Sequence, residues 1–280
     1  MTEMAVLRQT ATNSDAIRKI ILVTLSTSIA VIFAATVFSP NDKVFNTPVS
    51  VTATAGISAS AALMVAIKHK LSGLYGKTYL ALAAGLICWF AGEMIWTFDN
   101  VIAGSPPSTV SIAEVPWLAL YAFFGYYVFR TYRFFGYAVS KRHLIVVLSG
   151  VSILIASTTY SVLNSLEGSM QTEPLLMVRL VYPIGDAVLT VPSVLLLLTL
   201  RHGLLTYTPW LFVSAALILV AGAGILFSHV SLLEIFDISW IIFPLYNAGN
   251  LAFTAALTWY NKFGIYDRSK ALQLFQHSFK

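Results

Sequence analysis

Between Ile20 and Phe38 the chain carries no charged residue, and seven further stretches of similar character follow it. They cover about 49–67, 78–98, 114–132, 143–163, 175–200, 210–228 and 238–260. A helix needs about 20 predominantly apolar residues to cross the hydrocarbon layer. Inside that layer each backbone amide must be satisfied within its own segment or by a closed barrel. The runs are joined by short strings rich in Pro, Asn, Gly and Ser. The spacing therefore predicts an all-α, polytopic membrane protein with eight transmembrane helices. The fourth run is the least regular, because Arg130 and Arg133 limit its inner end.

Composition agrees. Apolar residues fill 58% of the 280 positions and charged residues 10%, against about 45–50% and 25% in soluble domains. So few charges cannot cover a soluble surface. The net charge of +5 does not point to nucleic acid, because the cations lie between apolar runs instead of clustering on one face. The lone Cys88 sits within an apolar run and excludes a disulfide inside the chain. The first run is longer than a signal-peptide core and lacks a clear A-x-A exit, so it reads as a retained anchor.

Orientation follows from Lys and Arg. Every one of them except Lys43 and Arg179 falls on one side of the eight-span scheme. That side becomes the cytoplasm, and both termini lie there. The chain then divides into a cytoplasmic segment (1–19), a transmembrane domain (20–260) and a cytoplasmic tail (261–280). The tail can form a short amphipathic helix with Ala271, Leu272, Phe275 and Phe279 on one side, suited to anionic lipid or to a partner. The opposite, outer side gathers Asp42, Asp99, Glu114, Glu167, Glu173, Glu234 and Asp237.

The transmembrane domain has the marks of a duplication. Gly92 in the third span precedes Glu114-x-x-Trp117 at the start of the fourth. Gly222 in the seventh precedes Asp237-x-x-Trp240 at the start of the eighth. Halves of about 20–132 and 143–260 would run parallel, related by an axis along the membrane normal. Ser111-x-x-Glu114 also fits a capping box at the fourth helix start.

Glu93 has no such structural explanation. At about 1.5 Å per residue it lies roughly 24 Å above Lys77, while Asp186 and Asn247 lie roughly 22 Å above Arg201 and Lys262. Three polar side chains thus share one depth. A charge at the bilayer centre costs about 2.5–3.5 kcal/mol on insertion scales, so such residues turn into the bundle or a wet cavity. In the sixth span Arg179, Tyr182, Pro183 and Asp186 share one helical face. Pro183 frees the carbonyl of Arg179, and Arg179 can snorkel outward or pair with Asp186, Glu93 or Asp99. An interhelical clamp and a ligand contact explain these residues equally well. The ligand-binding candidates are Glu93, Asp186, Asn247, Arg179, Tyr182, Trp96 and Asp99. No histidine shares a face with a second ligand, so no metal site is expected. No cofactor motif is present.

These pieces resemble the multi-span N-terminal membrane domain that precedes many archaeal and bacterial histidine kinases and diguanylate cyclases. The resemblance rests on Trp89, Gly92, Glu93 and Trp96; on Pro107, Ser108 and Glu114; on Trp117, Leu118 and Tyr121; and on Tyr182, Pro183, Gly185 and Asp186. It covers about residues 78–260. Glutamate stands at 93 where that family usually has aspartate, the proline–serine loop is longer, and no output domain follows. The resemblance implies a prokaryotic sensory module of the cell membrane, responding to a small-molecule or lipid ligand and signalling through its tail or a separate cytoplasmic protein. A fainter likeness, to lysoplasmalogenase-type hydrolases, implies lipid hydrolysis with Glu93 and Asp186 as paired acids. A small transporter is the third reading. No enzyme motif favours catalysis, and oligomeric state is open.

Overall fold

A chain this poor in charge can satisfy its backbone in apolar surroundings only through helix or a closed barrel, and it takes the helical route. The computed structural model describes residues 2–38, 48–69, 73–104, 111–135, 141–166, 173–200, 204–233 and 239–263. These form α1 (Thr2–Phe38), α2 (Pro48–His69), α3 (Gly73–Thr97), α4 (Glu114–Phe135), α5 (Lys141–Leu166), α6 (Glu173–Leu200), α7 (Leu204–Leu233) and α8 (Ser239–Phe263). One π-helical turn, Phe98–Ile102, extends α3. No strand occurs among the described residues.

Five helices hold stretches long and apolar enough to cross a membrane: Ala16–Ala34, Pro48–Lys68, Gly76–Ile102, Val181–Leu200 and Tyr207–Ser228. Polar residues explain why α4 and α8 are not among them. Glu114, Arg130 and Arg133 lie on α4, and Asn247, Asn250 and Asn261 on α8. Large apolar side chains nevertheless face outward around the molecule, including Ile20, Val23 and Val31 on α1, Met64 and Ile67 on α2, and Val146 and Ile153 on α5. Apolar exposure on this scale suits lipid and not water.

Six helices close a ring. α2 packs on α3, α3 on α4, α4 on α6, α6 on α7, α7 on α8, and α8 back on α2. α1 lies against α8 and α7, and α5 against α6 and α7. Small side chains on α2 (Ala55, Ser58, Ala59, Ala62) are buried and let neighbouring backbones approach, the usual basis of helix packing in lipid. An open groove of about 710 Å³ runs along the outside of α2, lined by Gly56, Ser60, Phe90, Thr97 and Thr254 among others.

The two ends of the ring are built differently. Towards the end that carries Lys77, Arg130 and Arg133, the interior is filled by buried rings of Tyr79, Tyr127, Phe135, Trp210 and Tyr260. Tyr79 lies 4.2 Å from Tyr260 and 6.1 Å from Tyr127 by ring centroid. Phe135 lies 5.2 Å from Trp210. Towards the end that carries Asp99 and Glu114, the interior holds Glu93 and Asp186 instead.

Candidate functional site: a buried acid and aromatic cluster

Glu93 occupies the last third of α3 and is 6% exposed. Its neighbour Gly92 is what permits the contact with α4. A Cβ there would come within 2.4 Å of the Trp117 indole, so any larger residue would push the ring away. The Glu93 carboxyl lies beside the Trp117 indole N–H, but no acceptor stands in line with that N–H. On the other side, the Thr52 hydroxyl of α2 lies 3.2 Å from the Glu93 carbonyl oxygen and 2.7 Å from the Thr97 hydroxyl. The turn bearing Glu93 is thus held by α2 and α4 together.

Asp186 on α6 is 4% exposed. The Tyr121 hydroxyl of α4 donates to its Oδ1 at 2.8 Å, and its Oδ2 has no partner. Two further glycines shape this corner. A Cβ on Gly185 would meet the Tyr121 ring at 2.6 Å, and one on Gly224 of α7 would meet Asp186 Oδ2 at 2.6 Å. Pro183 sits within α6 without ending it. One residue earlier, the Tyr182 hydroxyl donates to the Glu114 carboxylate at the start of α4. The Tyr182 and Tyr121 rings are 6.0 Å apart.

Trp117 and Tyr121 lie one helical turn apart on α4, so one face of that helix addresses both acids. Tyr246 of α8 does the same from across the ring, within electrostatic reach of Asp186 and Glu93. It packs against Trp89 in a tilted arrangement, with ring centroids 5.2 Å apart. Trp96 joins the wall through Trp117 at 6.3 Å and Phe227 at 6.2 Å. Trp89, Trp96 and Trp117 therefore pack against other rings at the acids' level. Tyr246, Phe227 and Gly224 are the members that reading the sequence missed. Only its depth, matching that of Glu93, could have singled out Tyr246.

The remaining candidates have other engagements. The Asn247 amide is taken up by α2. It accepts from the Thr54 hydroxyl at 2.8 Å and donates to Ser50 Oγ at 3.0 Å. Asn250 donates to Thr54 Oγ1 at 3.1 Å, while its Oδ1 has no partner. Asp99, on the π-helical turn, accepts from Ser111 Oγ at 2.7 Å. That bond changes the expected capping box. Ser111 Oγ receives the Ala113 N–H at 3.2 Å and its carbonyl the Glu114 N–H at 3.1 Å, and the Glu114 side chain turns to Tyr182 instead. The side chains of Arg179, Glu234, Asp237 and Trp240, the loop with Pro107 and Ser108, and the tail from 264 onward lie outside the described residues. Among the described residues no three His, Cys, Asp or Glu side chains come together as metal ligands.

The cluster thus presents two buried carboxylates to a wall of indole and phenol rings. It has an unused acceptor on Asp186, and the Trp117 indole N–H faces the Glu93 carboxyl. Comparison with known proteins returns no matching family model, no matching curated protein and no matching solved structure.

Proposed function

We propose that the chain is an integral sensor or ligand-binding module of the cell membrane, with a polar site near the outer face and its output at the cytoplasmic end. The observation that carries this reading is Asp186 Oδ2, a buried acceptor without a donor. Leaving such a group unmade costs about 1–3 kcal/mol, and a bound ligand supplies the missing donor. The aromatic filling at the other end of the ring makes the site a dead end, which favours sensing over transport. Binding would then shift helix packing by its differential affinity for two arrangements, read by a cytoplasmic signalling protein.

The finer topology belongs to the same proposal. Eight membrane crossings with Lys and Arg inside put both termini in the cytoplasm. The contacts among α2, α3 and α4 recur among α6, α7 and α8, and the α2–α8 contact has its counterpart in α4–α6. That pattern supports a parallel repeat whose matched core is three helices of each four.

The test uses the full chain in nanodiscs, screened by thermal unfolding against soluble small metabolites. Wild type is expected to be stabilised by a subset to which Asp186→Asn does not respond. No stabilising compound, or the same set acting on both proteins, sinks the reading.

One observation favours a second reading. Both acids lie within reach of the Tyr246 hydroxyl, and two carboxylates in unlike environments can divide general-acid and general-base roles. This would make the chain an intramembrane lipid hydrolase. Release of fatty acid from ester lipids, or of aldehyde from vinyl-ether lipids, by wild type and lost in Asp186→Asn is its signature.

A further inference from the structure

The basic end of the ring has a corner of its own, remote from the acid cluster. Two glycines set the register between α3 and α4. A Cβ on Gly92 would meet Trp117, and one on Gly85 would meet Phe124, so seven residues back along α3 match seven forward along α4. A further such step sets Thr78 opposite Thr131, both buried, and puts Lys77 at the level of Arg130 and Arg133. On α3 the outward stripe of Leu80, Ile87 and Met94 ends in the exposed Lys77. On α4 the exposed Tyr126 and Phe129 each lie one turn before an arginine, Arg130 and Arg133. Apolar surface giving way to long cations marks the passage from acyl chains to headgroups. These cations have no carboxylate to pair with. No Asp or Glu occurs at 43–92, 115–166, 187–233 or 238–266, so neither helix nor the loops joining helices at this end can supply one. Arg130 shows the consequence, because its Nε is buried and has no hydrogen-bond partner among the described residues.

We infer that this corner binds the phosphate of an anionic phospholipid, held by Arg130 and Arg133 with Lys77 beside them, its acyl chains lying along Phe129 and Tyr126. The planar guanidinium fork matches phosphate and forms charge-assisted bonds with it. A lipid suits the corner better than a soluble phosphate, because the face that leads to the arginines is apolar and turned outward. Basic pockets between membrane helices on the cytoplasmic side take such headgroups, and this is the end that the Lys and Arg bias assigns to the cytoplasm. The inference is independent of what the buried acids do.

Native mass spectrometry of the full chain in neutral detergent tests this, with phosphatidylglycerol and phosphatidylcholine of the same acyl chains supplied in equal amounts. Wild type is expected to retain phosphatidylglycerol about tenfold or more over phosphatidylcholine. Arg130→Gln should cut that preference about fivefold, the weight of one cation near an anionic surface. Arg133→Gln, at an exposed position, should do the same and carries the test if the first variant fails to fold. Lys141→Gln combined with Arg142→Gln removes two exposed charges at the start of α5 and should leave the preference within about twofold, since neither belongs to the corner. Equal retention of the two lipids by wild type overturns the inference. So does a loss in the α5 variant as large as in the arginine variants, which would make the attraction a diffuse one. Retention of glycerol phosphate without acyl chains, as tight as that of the lipid, would assign the corner to a soluble phosphate and overturn it too.

Discussion

Asp186 Oδ2 lies against the backbone of Gly224, so closely that a Cβ on residue 224 would come within 2.6 Å of it. The oxygen cannot simply swing aside, because Oδ1 of the same carboxylate is held by Tyr121 at 2.8 Å. α6 and α7 therefore meet at this point through a glycine and an acid. Gly224→Ala should force the carboxylate off Tyr121 and destabilise the protein by about 1–3 kcal/mol, the usual range for overpacking. Gly222→Ala is the control. It meets nothing within 4 Å, and alanine there should be neutral or stabilising by about 0.4–1 kcal/mol. Thermal unfolding in detergent compares the two. Equal behaviour would mean that the helices do not approach as described.

The Tyr121 hydroxyl donates directly to the Asp186 carboxylate at 2.8 Å, so the coupling of the two should be measurable. Tyr121→Phe removes the donor while keeping the ring, leaving both carboxylate oxygens of Asp186 without a partner. The expected loss is about 1–3 kcal/mol. Asp186→Asn should lose less, because the neutral amide is cheaper to bury and can still accept from Tyr121. In a double-mutant cycle the two effects should depart from additivity by about 0.5–3 kcal/mol. Strict additivity would show that the bond does not form.

The sequence made some of this legible and hid the rest, for physical reasons. Helix placement follows from apolar run length, so the eight helices among the described residues lie near the eight runs expected, whereas extent does not: α1 begins at Thr2, well before its apolar run at Ile20. The inward turn of Glu93 and Asp186 was legible too, since a carboxylate in lipid is costly. What surrounds them was not. Tyr121 and Trp117 carried a family likeness but no depth assignment, and Tyr246 is a common residue that acquires meaning only from α8 crossing the ring. Equal depth also misled. Asn247 shares the acids' level, yet its rotational position gives its amide to α2. Gly222 looked like the counterpart of Gly92, but Gly224 is the glycine that makes room for a site residue. Depth comes from counting residues, whereas azimuth depends on packing partners that a single sequence does not name.

Gly92 and Trp117 give a prediction at the Glu93 corner. An alanine at 92 would bring its Cβ to 2.4 Å from the indole, and a ring fused into a crowded wall has little freedom to retreat. Gly92→Ala should displace Trp117, shift tryptophan emission and lower thermal stability by about 1–3 kcal/mol. Gly125→Ala, which meets nothing within 4 Å, should leave emission unchanged. A Gly92→Ala protein with native emission and stability would place Trp117 elsewhere.

The α2–α8 contact rests on an amide–hydroxyl chain: Ser50, Thr54, Asn247 and Asn250. Hydrogen bonds between helices in lipid average about 0.6 kcal/mol and reach about 1.7. Asn247 makes two of them, with Thr54 and Ser50. Asn247→Ala removes both and opens a cavity, so it should cost about 2–3 kcal/mol in all. Asn250 is also buried, yet its Oδ1 lacks a donor, so its amide already carries an unmet desolvation cost. Asn250→Leu gives up one bond to Thr54 but removes that cost in a side chain of the same branched shape and larger volume, so it should cost about 1–2 kcal/mol, less than Asn247→Ala. Unfolding by denaturant in mixed micelles ranks the two. Should Asn250→Leu prove the more damaging, the orphaned oxygen must hold a partner of its own, and the chain linking α2 to α8 would extend one residue deeper than the bonds traced above.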